Sequence, residues 1–407
     1  MILLKNARIL TPFTEIADAF LVIKDKRIHY LGLTEKDRGE LDHFTGASKK
    51  VIDLKGNIIS PGFIDIHTHG ALGKDYSDSP DLLGEDSVFR ATNGVTVFLP
   101  TIGALVPPED ILASARAIVK NMEKGVKGTR PLGINLEGPC LHPECAGAAG
   151  PDNCSYEIDL DYLKRAKDIM GDLFKIITIA PELENGIEAI TYLRENDVVV
   201  SVGHTNASDD ILDKAIRNGA TLVTHIYNTG PIPEQNVSGV LIPGVNEYLV
   251  MRDELMAEVN CDYAGVSVKP VVLRMMLRSK GIDRTIIITD SFYSAGLDHD
   301  QRLFLPDGRE FYVKDGVNIQ VENDQLSGSA MTMDQSIKGM MRNGRVSLGE
   351  AVQMATYNPA RVLNIDDRKG SILVGKDADL TVIDPDLNIY ATFLEGNIIY
   401  DNLRAIK

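Results

Sequence analysis

Several short apolar runs of this chain end in a histidine or an acidic residue. The first of them, residues 61–70, ends in a His-Thr-His triplet. The residues at these run ends are His67, His69, Glu137, His204, His225 and Asp290. Parallel α/β barrels place their reactive side chains at the carboxyl ends of their strands. The pattern therefore predicts a parallel barrel whose strand ends meet around one site.

The middle of the chain alternates β-branched runs with helical patterns, which indicates repeated βα units. We expect strands near residues 62–67, 95–101, 132–137, 176–181, 197–203, 220–225, 255–261 and 285–290. Eight such units predict an α/β fold, a (β/α)8 TIM barrel, over residues 60–355. Residues 229–245, which are rich in Pro and Gly, are expected to form an active-site loop or a subunit contact.

Both ends of the chain contain short strand-like runs separated by turns. Such runs lie at 2–4, 19–23 and 51–54, and again at 371–384 and 391–400. We therefore predict one small β-sandwich domain, assembled from residues 1–59 and 356–407.

The composition narrows the class of protein. A net charge of −16 argues against nucleic acid or an anionic membrane as the main partner. The four cysteines form no Cys-x-x-Cys pair, which is typical of reduced thiols in a cytosolic protein. The first residues lack the pattern of a signal peptide, and no apolar run reaches the roughly 18 residues that span a bilayer. We expect a cytoplasmic protein.

The run-end residues together form the donor set of a metal site. His67 and His69 point to the same side of a strand, so both can approach one cation. Glu137, His204 and His225 supply one carboxylate and two imidazoles, a set that holds catalytic zinc and leaves a position for water. Asp290 can take a proton from that water and return it to a departing nitrogen. Singly, each residue has a structural alternative: a turn histidine, a core histidine, a buried ion pair or a helix cap.

Longer motifs resemble the amidohydrolase superfamily and, within it, the N-acetylglucosamine-6-phosphate deacetylases. They occur in order along the whole chain, and the fourth predicted strand lacks the lysine used by dihydroorotase-like relatives. The matching runs are Pro61–Asp65, Leu136–Pro139, Ala180–Glu182, Gly203–Ala207, Thr224–Asn228, Leu326–Met333, Ala355–Arg361 and Gly375–Asp384.

The resemblance implies a homodimer of barrel and β-sandwich that releases acetate from an N-acetyl amino sugar. It implies one or two divalent ions, most often Zn²⁺, with Glu137 bridging two of them or binding one together with His204 and His225. It also implies that Asn228 contacts the substrate and that the segment 326–333, which contains Ser329, covers the acetyl group.

Three positions depart from the family pattern at places that contact substrate. The family has histidine where this chain has Ala149, arginine near Asn236 and histidine at Ser267. The last two hold the sugar phosphate in the family, and each lost charged hydrogen bond is worth about 1.5–3 kcal/mol. Lys269 could replace the lost charge, and His142 is a further candidate for a substrate contact.

The main hypothesis is therefore metal-dependent hydrolysis of N-acetylglucosamine 6-phosphate to glucosamine 6-phosphate and acetate. The alternative is an amidohydrolase that acts on a non-phosphorylated N-acyl amino sugar or on another N-acyl amide. A catalytically inactive sugar-sensing or scaffold protein is the third hypothesis, which the intact set of ligands and the retained Asp290 disfavour.

Overall fold

Eight parallel strands form the centre of the molecule. The computed structural model describes residues 1–103, 105–228, 230, 240, 242–298, 302–305 and 308–406. Successive strands pair in parallel in chain order, and the short strand Arg130–Pro131 joins the second one. The barrel strands are Phe63–Thr68, Val95–Gly103, Ile134–Glu137, Phe174–Ile179, Val199–Val202, Ala220–Val223, Met256–Asn260 and Thr285–Ile288.

Helices surround these strands and bury one face against them. In the helix Asp209–Asn218, Leu212 and Ala215 are buried three positions apart, and Gly219, with a φ of 122°, ends the helix. The main core fills the layer between helices and strands, with Ile111 and Phe98 among its members. The helices are Arg38–Ala47, Leu83–Thr92, Pro108–Lys124, Leu160–Met170, Gly186–Glu195, Asp209–Asn218, Val245–Met251, Pro270–Lys280, Met333–Gly339, Leu348–Ala355 and Tyr357–Val362.

A second sheet combines both ends of the chain. Its strands Ile58–Pro61 and Leu380–Ile383 pair in antiparallel fashion, which joins the amino-terminal part to the carboxyl-terminal part. The predicted fold class, a barrel with a small β-sandwich, is confirmed. The domain limits stay a prediction. The sheet comprises Ile2–Leu10, Glu15–Lys24, Arg27–Leu33, Lys50–Asp53, Ile58–Pro61, Leu380–Ile383, Ile389–Leu394 and Asn397–Asp401.

Two further β elements, which the sequence analysis did not predict, lie in loops at the barrel mouth. Gly70–Ala71 pairs with Lys74–Asp75 after the first barrel strand. A four-stranded antiparallel sheet follows the eighth strand, formed by Leu303–Phe304, Glu310–Lys314, Val317–Gln320 and Leu326–Ser329. Most of the predicted loop at 229–245, including Asn236, lies outside the described residues. In the described part of the chain, no helix combines the length and apolarity needed to cross a bilayer.

Hydrogen bonds from both backbone and side chains connect the first barrel strand to the eighth. The backbone N–H of Asp290 donates to the carbonyl of His67 at 2.9 Å. The hydroxyl of Thr289 donates to Asp65 Oδ2 at 2.6 Å, and the Thr289 N–H approaches Asp65 Oδ1 at 3.3 Å. These bonds fix the end of the eighth strand relative to the end of the first.

Arg90, from the helix Leu83–Thr92, completes this connection from the outside of the strands. Its guanidinium lies 3.2 Å from Asp65 Oδ2 and 2.6 Å from Asp86 Oδ2. It also donates to the hydroxyls of Thr68, at 2.5 Å, and Ser291, at 3.2 Å. All five side chains are buried, so they form hydrogen bonds with one another rather than with solvent.

We expect Arg90→Met to lower the free energy of unfolding by about 3–5 kcal/mol, since it leaves Asp65 and Asp86 as buried carboxylates without their cation. Chemical denaturation followed by circular dichroism measures the change. Arg165→Met is the matched control, because it breaks the exposed ion pair with Glu109. Equal losses in the two variants would contradict the importance of the buried network.

Candidate metal centre and active site

Four imidazole rings converge on one carboxylate at the carboxyl ends of the barrel strands. The Nε2 atoms of His67 and His69 are 3.3 Å apart, as are those of His204 and His225. Glu137 lies between the two pairs. Its Oε2 is 3.0 Å from His69, whereas its Oε1 is 3.0 Å from His204 and 2.5 Å from His225. The structure thus brings together all five residues that we predicted as metal ligands.

The ends of the strands set these positions. Glu137 is the last residue of the third strand, while His204, His225 and Asp290 each lie two residues beyond the end of a strand. These last three residues have φ angles of 50°, 20° and 45° respectively. A positive φ is unfavourable for residues other than glycine and is concentrated at functional sites. The backbone therefore turns sharply just where each of these side chains enters the centre.

Two overlapping groups of donor atoms are close enough to hold a cation. One consists of His67, His69 and Asp290, and the other of His67, Glu137 and His225. Asp290 Oδ1 lies 3.4 Å from His69 Nε2 and 3.8 Å from His67 Nε2. His67 belongs to both groups, so the orientation of its ring affects cation binding in each of them.

The charges of the centre show why a cation fits there. Burial acts to raise the pKa of Glu137, but the neighbouring rings of His67, His204 and His225 hold it well below its usual range. Burial acts to lower the pKa of His69, but hydrogen bonds to Asp290 and Glu137 raise it to about 10. Against the same effect of burial, the carboxylates likewise raise the pKa values of His67 and His225, which favours protonated rings when no cation is bound. A divalent cation can supply that positive charge instead and release the protons.

Asp290 is held by a chain of amide side chains. Asn260 Nδ2 donates to Asp290 Oδ2 at 2.8 Å and is 3.3 Å from Asn228 Oδ1. Asn228 Nδ2 in turn donates to the carbonyl of Ser267 at 2.9 Å. Burial acts to raise the pKa of Asp290, but the hydrogen bond from His69 and the adjacent rings lower it. Asp290 is thus an oriented, ionised carboxylate beside the centre.

A cavity that is open to solvent lies against these groups. Asn228, which is predicted to contact the substrate, lines this cavity, and so does Ala149. The remaining wall is made mainly of small and apolar residues. The lining residues are His69, Gly103, Leu105, Glu137, Gly147, Ala148, Ala149, His204, His225, Asn228, Asp290, Phe292, Gln325, Leu326, Ser327 and Gly328.

The other predicted substrate residues lie near this cavity but are not among those that line it. The ring of His142 accepts a hydrogen bond from the N–H of Glu144 at 3.3 Å. The hydroxyl of Ser329 donates to the carbonyl of Thr289 at 2.6 Å. Ser267 reaches the site through its carbonyl, which accepts from Asn228. Their roles in binding substrate stay predictions.

Glu258 and Asn260 are two site residues that the sequence analysis missed. Both belong to the seventh barrel strand and are buried. Alternate residues of a strand share one face, so two polar residues at positions i and i+2 of an otherwise apolar strand indicate side chains that point to the same site. Glu258 and Asn260 have this spacing and could have been recognised from it.

Comparison with known proteins places the chain in a family. The model of the amidohydrolase family matches residues 58–399, so the chain belongs to the amidohydrolase family and is an enzyme of that class. Members of this family depend on a metal, and the donor groups above are able to bind one.

Individual relatives are more specific. An N-acetylglucosamine-6-phosphate deacetylase of Bacillus subtilis (strain 168) is 30% identical over 99% of this chain and 98% of its own length. An N-acetylgalactosamine-6-phosphate deacetylase of Escherichia coli O157:H7 is 28% identical over 86% of this chain and 89% of its own. The crystal structure of an N-acetylglucosamine-6-phosphate deacetylase from Pasteurella multocida has a TM-score of 0.85 at 28% identity and covers 97% of this chain and 98% of that one.

We expect a chelator to lower the melting temperature of the protein and added Zn²⁺ to restore it. At about 100 times the dissociation constant, a bound ion stabilises the folded state by about 2.7 kcal/mol. His204→Asn should lose most of this rise, because it removes a donor at the centre. His29→Asn, which changes an exposed histidine, is the control. An undiminished rise in His204→Asn would exclude His204 as a ligand.

Proposed function

We propose that this enzyme hydrolyses the acetyl amide of N-acetylglucosamine 6-phosphate to glucosamine 6-phosphate and acetate. The observation that carries the proposal is the convergence of four imidazoles, Glu137 and Asp290 on one centre, and all of these residues except His67 line the cavity. The printed activities of its full-length relatives support the same reaction.

The proposed cofactor is Zn²⁺, as one or two ions. Imidazole-rich donor sets with carboxylates suit this ion. Glu137 turns one oxygen towards His69 and the other towards His204 and His225, which supports a bridging role between two ions. When bound, such a cation lowers the pKa of water and polarises a carbonyl group.

Asp290 is the proposed general base and then general acid. Asn260 occupies its Oδ2, so Oδ1 is the oxygen that faces the centre. We assign Oδ1 the proton of the attacking water, and this proton then passes to the departing nitrogen. Amide hydrolysis needs that second step, because an unprotonated amine leaves very poorly.

The rest of the cavity is the proposed site for the sugar and its acetyl group. Phe292 and Leu326 offer apolar surface to the acetyl methyl group, in line with the expected cover from the segment 326–333. Asn228 is the proposed polar contact to the sugar.

One observation favours a second candidate, a non-phosphorylated N-acyl substrate. None of the described residues that line the cavity is a lysine or an arginine. The sequence of residues 229–241 contains neither residue type. Lys269, which is exposed at the start of the helix Pro270–Lys280, is the first basic residue after Ser267 in the sequence. It is the candidate to supply the positive charge that a phosphate group would need.

A cytoplasmic homodimer is the proposed form of the enzyme. All four cysteines are free thiols, which suits a reducing compartment. Size-exclusion chromatography with light scattering decides the assembly state.

Asp290→Asn should keep the ion held by His67, Glu137 and His225, a group that does not include Asp290, and should lose turnover, because the amide cannot accept the proton of water. Loss of general acid–base catalysis typically costs about 10²–10⁴-fold in kcat. Metal analysis and acetate release on the same sample measure both quantities. Unchanged turnover would rule out the role given to Asp290.

Acetate release from N-acetylglucosamine 6-phosphate and from N-acetylglucosamine, measured side by side with the zinc-loaded enzyme, separates the two candidate functions. We expect kcat/KM to favour the phosphate ester by about 100-fold or more if charged contacts grip the phosphate. Equal rates would favour the non-phosphorylated substrate. No turnover of either would overturn both in favour of a different N-acyl amide.

A further inference from the structure

Glu258 is a fully buried carboxylate that the proposed chemistry leaves unused. It lies on the seventh barrel strand, and its Oε2 is 3.0 Å from Nδ1 of His67. We propose that Glu258 is a positioning residue, which orients His67 so that Nε2 of that ring faces the cation. This inference rests on the metal centre proposed above.

The geometry of the His67 ring supports this role. When Nδ1 carries the proton and donates it to Glu258, the lone pair of the ring is on Nε2. Nε2 is the atom turned towards the centre, 3.6 Å from Glu137 Oε1 and 3.8 Å from Asp290 Oδ1. A carboxylate behind a histidine ligand fixes both the tautomer and the plane of the ring, and it makes the ligand more basic.

Glu258 also holds the residue that carries a second ligand. Its Oε2 accepts from the backbone N–H of His225 at 3.4 Å. Its own carbonyl accepts from the N–H of Ile226 at 2.9 Å. One residue thus connects His67 on the first strand to the turn after the sixth strand, so it sets the distance between two of the converging rings.

The cost of this carboxylate argues against a purely structural role. Its other oxygen, Oε1, has no hydrogen-bond partner among the described residues although it is buried. A buried carboxyl group with an unpaired oxygen is unfavourable, and an apolar residue would avoid this cost. His204 shows that a neutral partner suffices to orient a ring, since its Nδ1 lies 2.8 Å from the carbonyl of Cys145. A carboxylate behind His67 adds basicity that such a carbonyl does not.

The test measures metal affinity rather than turnover. Glu258→Gln keeps an acceptor for Nδ1–H but removes the charge, and Glu258→Met removes both. We expect the affinity for Zn²⁺, titrated against a competing chelator, to fall about 10-fold in the first variant and about 100-fold in the second. Glu182→Gln is the matched control, because this carboxylate bonds the hydroxyl of Thr205 and the N–H of Asn206 instead of a ring.

Each outcome has a distinct meaning. Wild-type affinity in both folded variants would overturn the role of Glu258. An absence of Zn²⁺ binding in the wild-type protein would overturn the metal centre itself, and with it this inference. If neither variant folds, nuclear magnetic resonance of zinc-loaded wild-type protein with ¹⁵N-labelled histidine decides. We expect a downfield Nδ1–H signal that disappears in His67→Gln, and a proton on Nε2 of His67 would contradict the proposal.

Discussion

The buried carboxylate of Asp65 is the contact on which the geometry of the centre depends. It lies two residues before His67 on the first strand and bonds Thr289, the neighbour of Asp290, on the eighth. Arg90 offsets part of the electrostatic cost of burying it, although burial still raises the pKa of Asp65. The same guanidinium donates to Thr68 and Ser291 at the two strand ends. The metal ligands on the first strand and the proposed base after the eighth strand are therefore held at fixed positions relative to one another. Catalysis is sensitive to displacements of about 1 Å, so a rigid join at this place matters more than elsewhere in the barrel.

Charge balance explains why so many ionisable groups tolerate burial together. Glu137, Glu258 and Asp290 are all buried beside the imidazole rings. The lowered pKa values of Glu137 and Asp290 mean that these two carboxylates are ionised, which is unfavourable in a medium of low dielectric unless positive charge lies beside them. Protons on the rings provide that charge in the absence of metal, and a divalent cation provides it without protonating the ligands. The buried carboxylates that would destabilise an ordinary core thus favour a cation at the centre. The overall charge of the protein is also negative.

Local sequence predicted the barrel and the ligands for a physical reason. Fully buried parallel strands require continuous apolar runs, so a polar residue at the end of such a run, as at Glu137, stands out. Glu258 was harder to recognise, because its partner His67 is distant in the chain and only the fold brings the two strands together. Arg90 likewise reads as an ordinary helical residue until its helix packs against the barrel. The positions of His142 and Ser329 relative to the cavity depend on loop conformation, which periodicity does not specify.

Chemistry and recognition are supported by different parts of this fold. The proposed ligands and Asp290 extend from strand ends that the core holds in place, whereas much of the opposite wall, including Ala148, Ala149 and Leu326, comes from loops and from the inserted sheet. Loops of a barrel accept substitution without disturbing its strands. The relatives illustrate this division, since deacetylases named for glucosamine and for galactosamine derivatives both align with this chain. Among the described residues, the part of the cavity lining away from the metal centre has no charged side chain, and such a wall is compatible with an intact hydrolytic centre because the loops that form it do not hold the metal ligands.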